Sequence, residues 1–283
     1  MKNLLPILQS AVVIMTPLLF AATGGLYTEL AGMLNIALEG LLLIGAFSAV
    51  CAVYFTGSFT AGIIAAITVS LLLSALLAFT TLTLRSNVFI TGLAANLLAG
   101  GLTVILSQYF FNTRGVIAVP EALFPARNIY VYASLLLLFV SWVAIYKTPF
   151  GYRLRACSKH STALTSLGIN PDAYRWIAFL VSGFCCGIGG AFLSLKLGAF
   201  VPNMTAGKGW IALVVIFLGG RRPPGLIIAA FVFGLAESLS NYAQGAGALT
   251  PLLNIPADFV LAMPYLLTLL AMIFVSAVKS KNN

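Results

Sequence analysis

A chain of 283 residues that is 61% hydrophobic and 7% charged cannot clothe a water-facing surface, since soluble domains carry about 25% charged residues. Six acids against fifteen bases give a formal charge of +9, yet the bases lie singly or in small clusters between apolar stretches, without the basic face of a nucleic-acid binder. A soluble enzyme, a disordered regulator and a coiled coil are excluded, and lipid is the solvent for most of the chain.

A bilayer core of about 30 Å takes around 20 apolar helical residues. That ruler gives nine segments, 4–27, 34–54, 59–83, 89–111, 129–146, 174–195, 209–219, 226–243 and 258–279, with ten or eight spans as the alternatives. The fold class is therefore an all-α polytopic membrane protein, residues 1–283 forming one transmembrane domain. Met1-Lys2-Asn3 ahead of an apolar stretch looks like a signal peptide. Ala21-Ala22-Thr23-Gly24 runs on into further apolar residues, however, so the first segment is read as a retained helix.

The second segment carries Glu39 within Leu34–Phe47, where a carboxylate costs a few kcal/mol. Asn35 and Glu39 are four apart and share a face if the helix has begun. Gly32, Gly40 and Gly45 permit a broken helix of the kind that lines transport sites. Two readings stand: an element of a solute path, or a structural joint with Glu39 satisfied by a helix terminus or a neighbouring span. The fourth segment offers Thr91 and Asn96, with Gly92, Asn96 and Gly100 on one stripe suited to helix packing.

After the fifth segment comes the longest polar stretch, 147–175, with Lys147, Arg153, Arg155, Lys159 and Arg175. Thr148-Pro149 suits a helix start, and a helix is predicted from about Phe150 to Leu167. Gly168 is suited to the left-handed residue that ends it. Asn170-Pro171-Asp172 caps the next helix. Lys196 and Lys208 flank a predicted outer loop, where snorkelling is the simple explanation. The seventh segment is short and stops at Gly219-Gly220-Arg221-Arg222-Pro223-Pro224-Gly225. In the eighth, Phe233, Glu237 and Asn241 recur at four-residue spacing.

Lysine and arginine set the orientation. With 147–175 inside, alternation also places Arg85, Arg221, Arg222, Lys279 and Lys281 inside, against Lys2, Arg114, Arg127, Lys196 and Lys208 outside. The N-terminus is then outside and the C-terminus inside. Cys51, Cys157, Cys185 and Cys186 with the single His160 show no metal-ligand spacing. Gly207-Lys208-Gly209 lacks the spaced glycine and following Ser/Thr of a phosphate loop, and no catalytic constellation appears. The chain is expected to be no enzyme and to hold no cofactor or metal of its own.

Several runs carry a resemblance. Gly32-Met33-Leu34-Asn35-Ile36-Ala37-Leu38-Glu39-Gly40 with Gly45-Ala46-Phe47 is similar to the N-terminal signature of ABC-importer permeases of the nucleoside and simple-sugar branch, within the branched-chain amino acid/ribose-like permease family. Pro149–Cys157, continuing to Leu167-Gly168-Ile169-Asn170-Pro171, resembles that family's cytoplasmic ATPase-contacting segment. Ser182-Gly183, Gly189-Gly190-Ala191 and Gly207–Leu213 resemble its later blocks. The resemblance implies a type II-importer-like fold with inverted repeats, spans one to four against six to nine. It also implies a multi-pass protein of the bacterial cytoplasmic (inner) membrane. The implied partners are a second, often different, permease subunit, an ABC ATPase that binds ATP and Mg, and an extracytoplasmic binding protein or lipoprotein, with no nucleic acid.

Within that frame Phe150, Gly151, Arg153, Leu154, Arg155, Lys159, Leu164 and Gly168 are expected to couple to the ATPase, the apolar face packing in its groove and the bases anchoring it. Asn35, Glu39, Thr91, Asn96, Phe233, Glu237 and Asn241 are expected along the translocation path. The expected solute is a nucleoside, with a ribose-like sugar as the alternative. Branched-chain amino acids ask for paired charges, and an ATP-independent carrier would use Glu39 or Glu237 to couple protons.

Overall fold

The computed structural model describes residues 4–119 and 128–245. The predicted segment 258–279 lies outside the described residues, as do Lys2, Arg127, Lys279 and Lys281. Seven described helices are long and apolar enough to cross a membrane: α1 (Leu4–Leu30), α2 (Leu38–Thr56), α3 (Phe59–Ala78) extended by a π-helical turn at Phe79–Thr83, α4 (Val88–Phe111), α5 (Asn128–Lys147), α8 (Pro171–Leu197) and α10 (Pro223–Gly245). Between α5 and α8 lie two short helices, α6 (Pro149–Lys159) and α7 (Ser161–Ser166). The predicted seventh span is helix α9 (Lys208–Leu218), 11 residues long. At 1.5 Å per residue it reaches about 16 Å, half a hydrocarbon core.

The centre is α8, packed on α1, α2 and α3 through small residues, which let backbones approach closely. A Cβ at Gly183 would come within 2.6 Å of the Ser74 Cβ, and one at Gly187 within 2.8 Å of the Ala66 carbonyl oxygen. One at Gly190 would run into the Leu42 carbonyl. Hydroxyls tie the same helices, Ser70 Oγ donating to the Leu41 carbonyl at 3.0 Å and Ser74 Oγ to that of Phe179. Apolar side chains stand exposed on α3, α4 and α5, among them Ile64, Leu72, Leu97, Ile105, Leu136 and Phe139. That is the surface of a chain solvated by acyl tails.

Two features depart from the all-α expectation. A two-residue antiparallel pair joins β1 (Ile117–Ala118) to β2 (Ala199–Phe200) at the end of the bundle opposite α6. The helix predicted over 150–167 breaks at His160, whose φ of −134° leaves the helical region. The second piece, α7, buries Leu164 and ends as foreseen, with Gly168 at φ +75°. Both 27-residue helices, α1 and α8, are followed by an irregular segment and then a helix that starts inside the bundle.

Candidate functional site

The first irregular segment, 31–37, leaves backbone groups that lipid cannot satisfy. Two amides satisfy them. Asn35 Oδ1 accepts from Ala37 N at 3.0 Å while its Nδ2 donates to Ser182 Oγ at 2.9 Å. Asn96 Nδ2 donates to the Ile36 carbonyl at 3.1 Å, and its Oδ1 accepts from Gly40 N at 2.7 Å. Asn96 lies eight residues into α4 and Ser182 eleven into α8, so α2 begins about 12–16 Å along those helices.

Helix α9 begins at the same depth, and Glu39 joins the two starts. Its Oε1 accepts from Gly207 N at 2.9 Å and its Oε2 from Gly209 N at 2.6 Å. These are charge-assisted bonds to amides at the positive end of α9. Gly209 permits the approach, because a Cβ there would run into the Glu39 backbone. Of the two readings of Glu39, the structural joint is the one observed. The neighbouring Lys208 turns the other way and pairs with Glu237 of α10, Nζ to Oε1 at 2.9 Å. Their side chains are 15% and 24% exposed. Lys208 thus flanks the predicted loop from the first turn of α9, but it is held by a carboxylate where snorkelling was the expectation.

Residues 7–276 match the family described as the branched-chain amino acid transport system permease component. The chain belongs to this family. It is 32% identical over 94% of its length to the guanosine ABC transporter permease protein NupQ of Bacillus subtilis, and 31% identical over 94% to the nucleoside ABC transporter permease protein NupC of Lactococcus lactis, covering 90% of each. A solved metal-chelate type ABC transporter in an inward-facing conformation shares the fold at 17% identity and TM-score 0.52, over 92% of this chain and 84% of that one. The chain is thus a multi-pass membrane permease.

The permease brings some predicted path residues together and not others. Asn35, Glu39 and Asn96 meet at the start of α2, but both amides are spent on the scaffold. Phe233 is sealed in the core, bracing α10 rather than lining a path. Thr91 Oγ1 bonds back to the Asn87 carbonyl in the first turn of α4. Asn241 is exposed on α10, one turn beyond Glu237. Three participants were missed: Gly207, Lys208 and Gly209. Their signal was a Gly-Lys-Gly run opening an apolar segment too short to cross.

The other end of the permease holds α6 and α7, whose apolar side packs on this chain's own bundle. Gly151, Leu154, Cys157 and Leu164 face inward and are buried, so they dock the segment onto its own bundle. Phe150 packs on Tyr174. Arg153 Nη1 donates to Tyr174 Oη at 3.0 Å. Arg155 lies 4.8 Å and 5.0 Å from the ring centroids of Tyr146 and Tyr152, a cation–π sandwich. Among the side chains left outward are the large apolar Tyr152 and Leu167, 60% and 75% exposed, and the polar Arg153, Lys159 and His160. Gly32, at the foot of the broken segment, lies against Ser158 of α6. Arg221 Nη2 pairs with Glu29 Oε1 at 2.9 Å, tying the far end of α9 to the end of α1.

Burial pushes the Cys157 thiol up from its ordinary value, with Arg175 opposing in part. A raised thiol is a poor nucleophile at neutral pH. Maleimide applied to the purified permease free of its ATPase is therefore expected to spare Cys157 and to label a His160→Cys variant at least about tenfold faster; equal rates would contradict the burial of Cys157.

Proposed function

We propose that this chain is the translocation subunit of an ATP-driven importer of nucleosides in a bacterial cytoplasmic membrane. The carrying observation is charge compensation at depth. Glu39 rests on the α9 amides and Lys208 on Glu237, so these groups present no uncompensated charge to a solute. A neutral, hydrogen-bonding solute fits such a path, while a zwitterion asks for fixed charges of both signs. Relatives named for guanosine and nucleosides support the same class.

Arg85, Lys147, Arg153, Arg155, Lys159, Arg175, Arg221 and Arg222 gather at the α6–α7 end, which supports a cytoplasmic placement of that end and an outside N-terminus. The two 27-residue helices, each followed by a broken entry, support inverted repeats. Tyr152 and Leu167 with Lys159 are the surface offered to an ATPase subunit that binds ATP and Mg. ATPase closure moves α6 against Gly32, and the broken segment carries that displacement to the joint of α2 and α9. A second permease subunit completes the path, and an extracytoplasmic binding protein supplies the solute.

The test is uptake of radiolabelled guanosine by vesicles holding the assembled complex and internal ATP, with ribose and leucine as competitors. ATP-dependent uptake displaced by nucleosides alone is expected. Accumulation on a proton gradient without ATP refutes the reading, and competition by ribose moves it to sugars. In the same vesicles Leu167→Asp places a charge at the apolar contact and is expected to lower solute-stimulated ATP hydrolysis about tenfold or more. Undiminished stimulation would exclude Leu167 from the interface.

A further inference from the structure

We propose that Glu39 is a positioning residue of the transport path: its carboxylate fixes the first turn of α9, and through it Lys208 and Trp210, at the membrane-depth joint. The role in transport rests on the permease reading above; the positioning itself rests on geometry alone. Three independent contacts converge on one side chain and its neighbours. Both carboxylate oxygens are used, one on Gly207 N and one on Gly209 N, at 2.9 and 2.6 Å. The following residue, Gly40, is held through its own N–H by Asn96 on α4. The α9 backbone at Gly209 lies so near that of Glu39 that no Cβ fits between them. α9 thus takes its starting position from Glu39, not from a continuous helix upstream.

The bond pattern makes the carboxylate specific. Two N–H donors converge on two acceptors. A carboxamide keeps one acceptor and turns an NH2 toward the other N–H, so an isosteric Glu39→Gln change replaces an attraction by a repulsion. The apolar side of α9, Ile211, Ala212, Val215 and Ile216, is held in the core with α10, whereas its first turn is tied to α10 through the Lys208–Glu237 pair. Releasing its first turn therefore moves Lys208 away from Glu237. The adjacent Trp210, 42% exposed, moves with it and reports the event.

The experiment uses the assembled permease complex in nanodiscs, with Trp142 and Trp176 replaced by Phe so that Trp210 is this chain's remaining tryptophan, and the signal of the same complex carrying Trp210→Phe is subtracted to remove the other subunits' tryptophans. Emission and acrylamide quenching are read with and without Glu39→Gln, beside guanosine uptake normalised to assembled complex. Expected is a rise in the Trp210 quenching constant of about twofold or more, with uptake kcat down about tenfold and KM changed less than about threefold. Glu39→Asp keeps both acceptors on a shorter arm, is expected to fall between, and substitutes for Glu39→Gln should that variant not assemble. Quenching at the Glu39→Gln or Glu39→Asp position identical to the parent overturns the proposal. If the parent complex moves no guanosine while Trp210 still responds to Glu39→Gln, the transport reading falls and the positioning role stands.

Discussion

Gly190→Val is expected to leave almost no folded permease in the membrane. Gly190 sits where α8 crosses α2, and even a single added carbon would collide with the Leu42 carbonyl and come within 2.7 Å of Ala46 N. These are backbone atoms inside a helix, so no side-chain rotation relieves the clash. Over-packing a well-packed core costs about 1–3 kcal/mol where side chains can shift, and here the helices themselves must part. Parting them also strains the bond from Asn35 Nδ2, just ahead of α2, to Ser182 Oγ of α8 and opens the Leu42 and Ala46 packing. Against a total of about 5–15 kcal/mol, that loss dominates. The measurement is the yield of monodisperse protein by fluorescence-detected gel filtration, with Gly100→Val on α4 as the comparison. Nothing lies within 4 Å of a Cβ at Gly100, so that variant is expected at close to parental yield. Equal yields would mean that the α2–α8 crossing is looser than described.

The same contrast explains what the sequence could and could not reveal. Hydropathy located the long spans because helices in lipid must bury their backbone bonds and show apolar side chains over a fixed length. It located 209–219 as well, but assigned a crossing to a segment that stops half way, since composition does not say which end of a helix reaches the surface. The caps at Thr148, Gly168 and Asn170 were legible because capping is local chemistry. The partner of Glu39 was not, as it lies 168 and 170 positions away. A buried carboxylate announces that it needs donors without naming them. Likewise the apolar residues of α6 were visible, while which of two surfaces they pack on depends on where α5 and α8 bring the segment.

Lys208→Met is expected to impair the permease more than the double change Lys208→Met with Glu237→Leu. The pair is largely shielded but not sealed, at 15% and 24% exposure, and it lies at the depth where α9 begins. Removing the ammonium alone strands the Glu237 carboxylate beside apolar helices, where an unpaired charge costs about 3–5 kcal/mol when fully buried. Partial exposure brings the expectation down to about 1–3 kcal/mol. Removing both partners leaves no charge to strand, so stability is expected to return to within about 1 kcal/mol of the parent, as is common when an ion pair is replaced by apolar groups. Thermal midpoints of the purified complex measure this as a double-mutant cycle, in which the coupling energy isolates the pair from its surroundings. Transport separates a second contribution. If the pair only joins α9 to α10, uptake recovers with stability in the double variant. If its exposed part also hydrogen-bonds the solute, uptake stays about tenfold down although the midpoint is restored. The neutral-solute reading expects the second outcome, since a half-open ion pair in an apolar bundle is affordable only where it meets water or a polar guest. Additive single-variant losses would show that Lys208 and Glu237 do not interact, and with them would go the account of why α9 stands where it does.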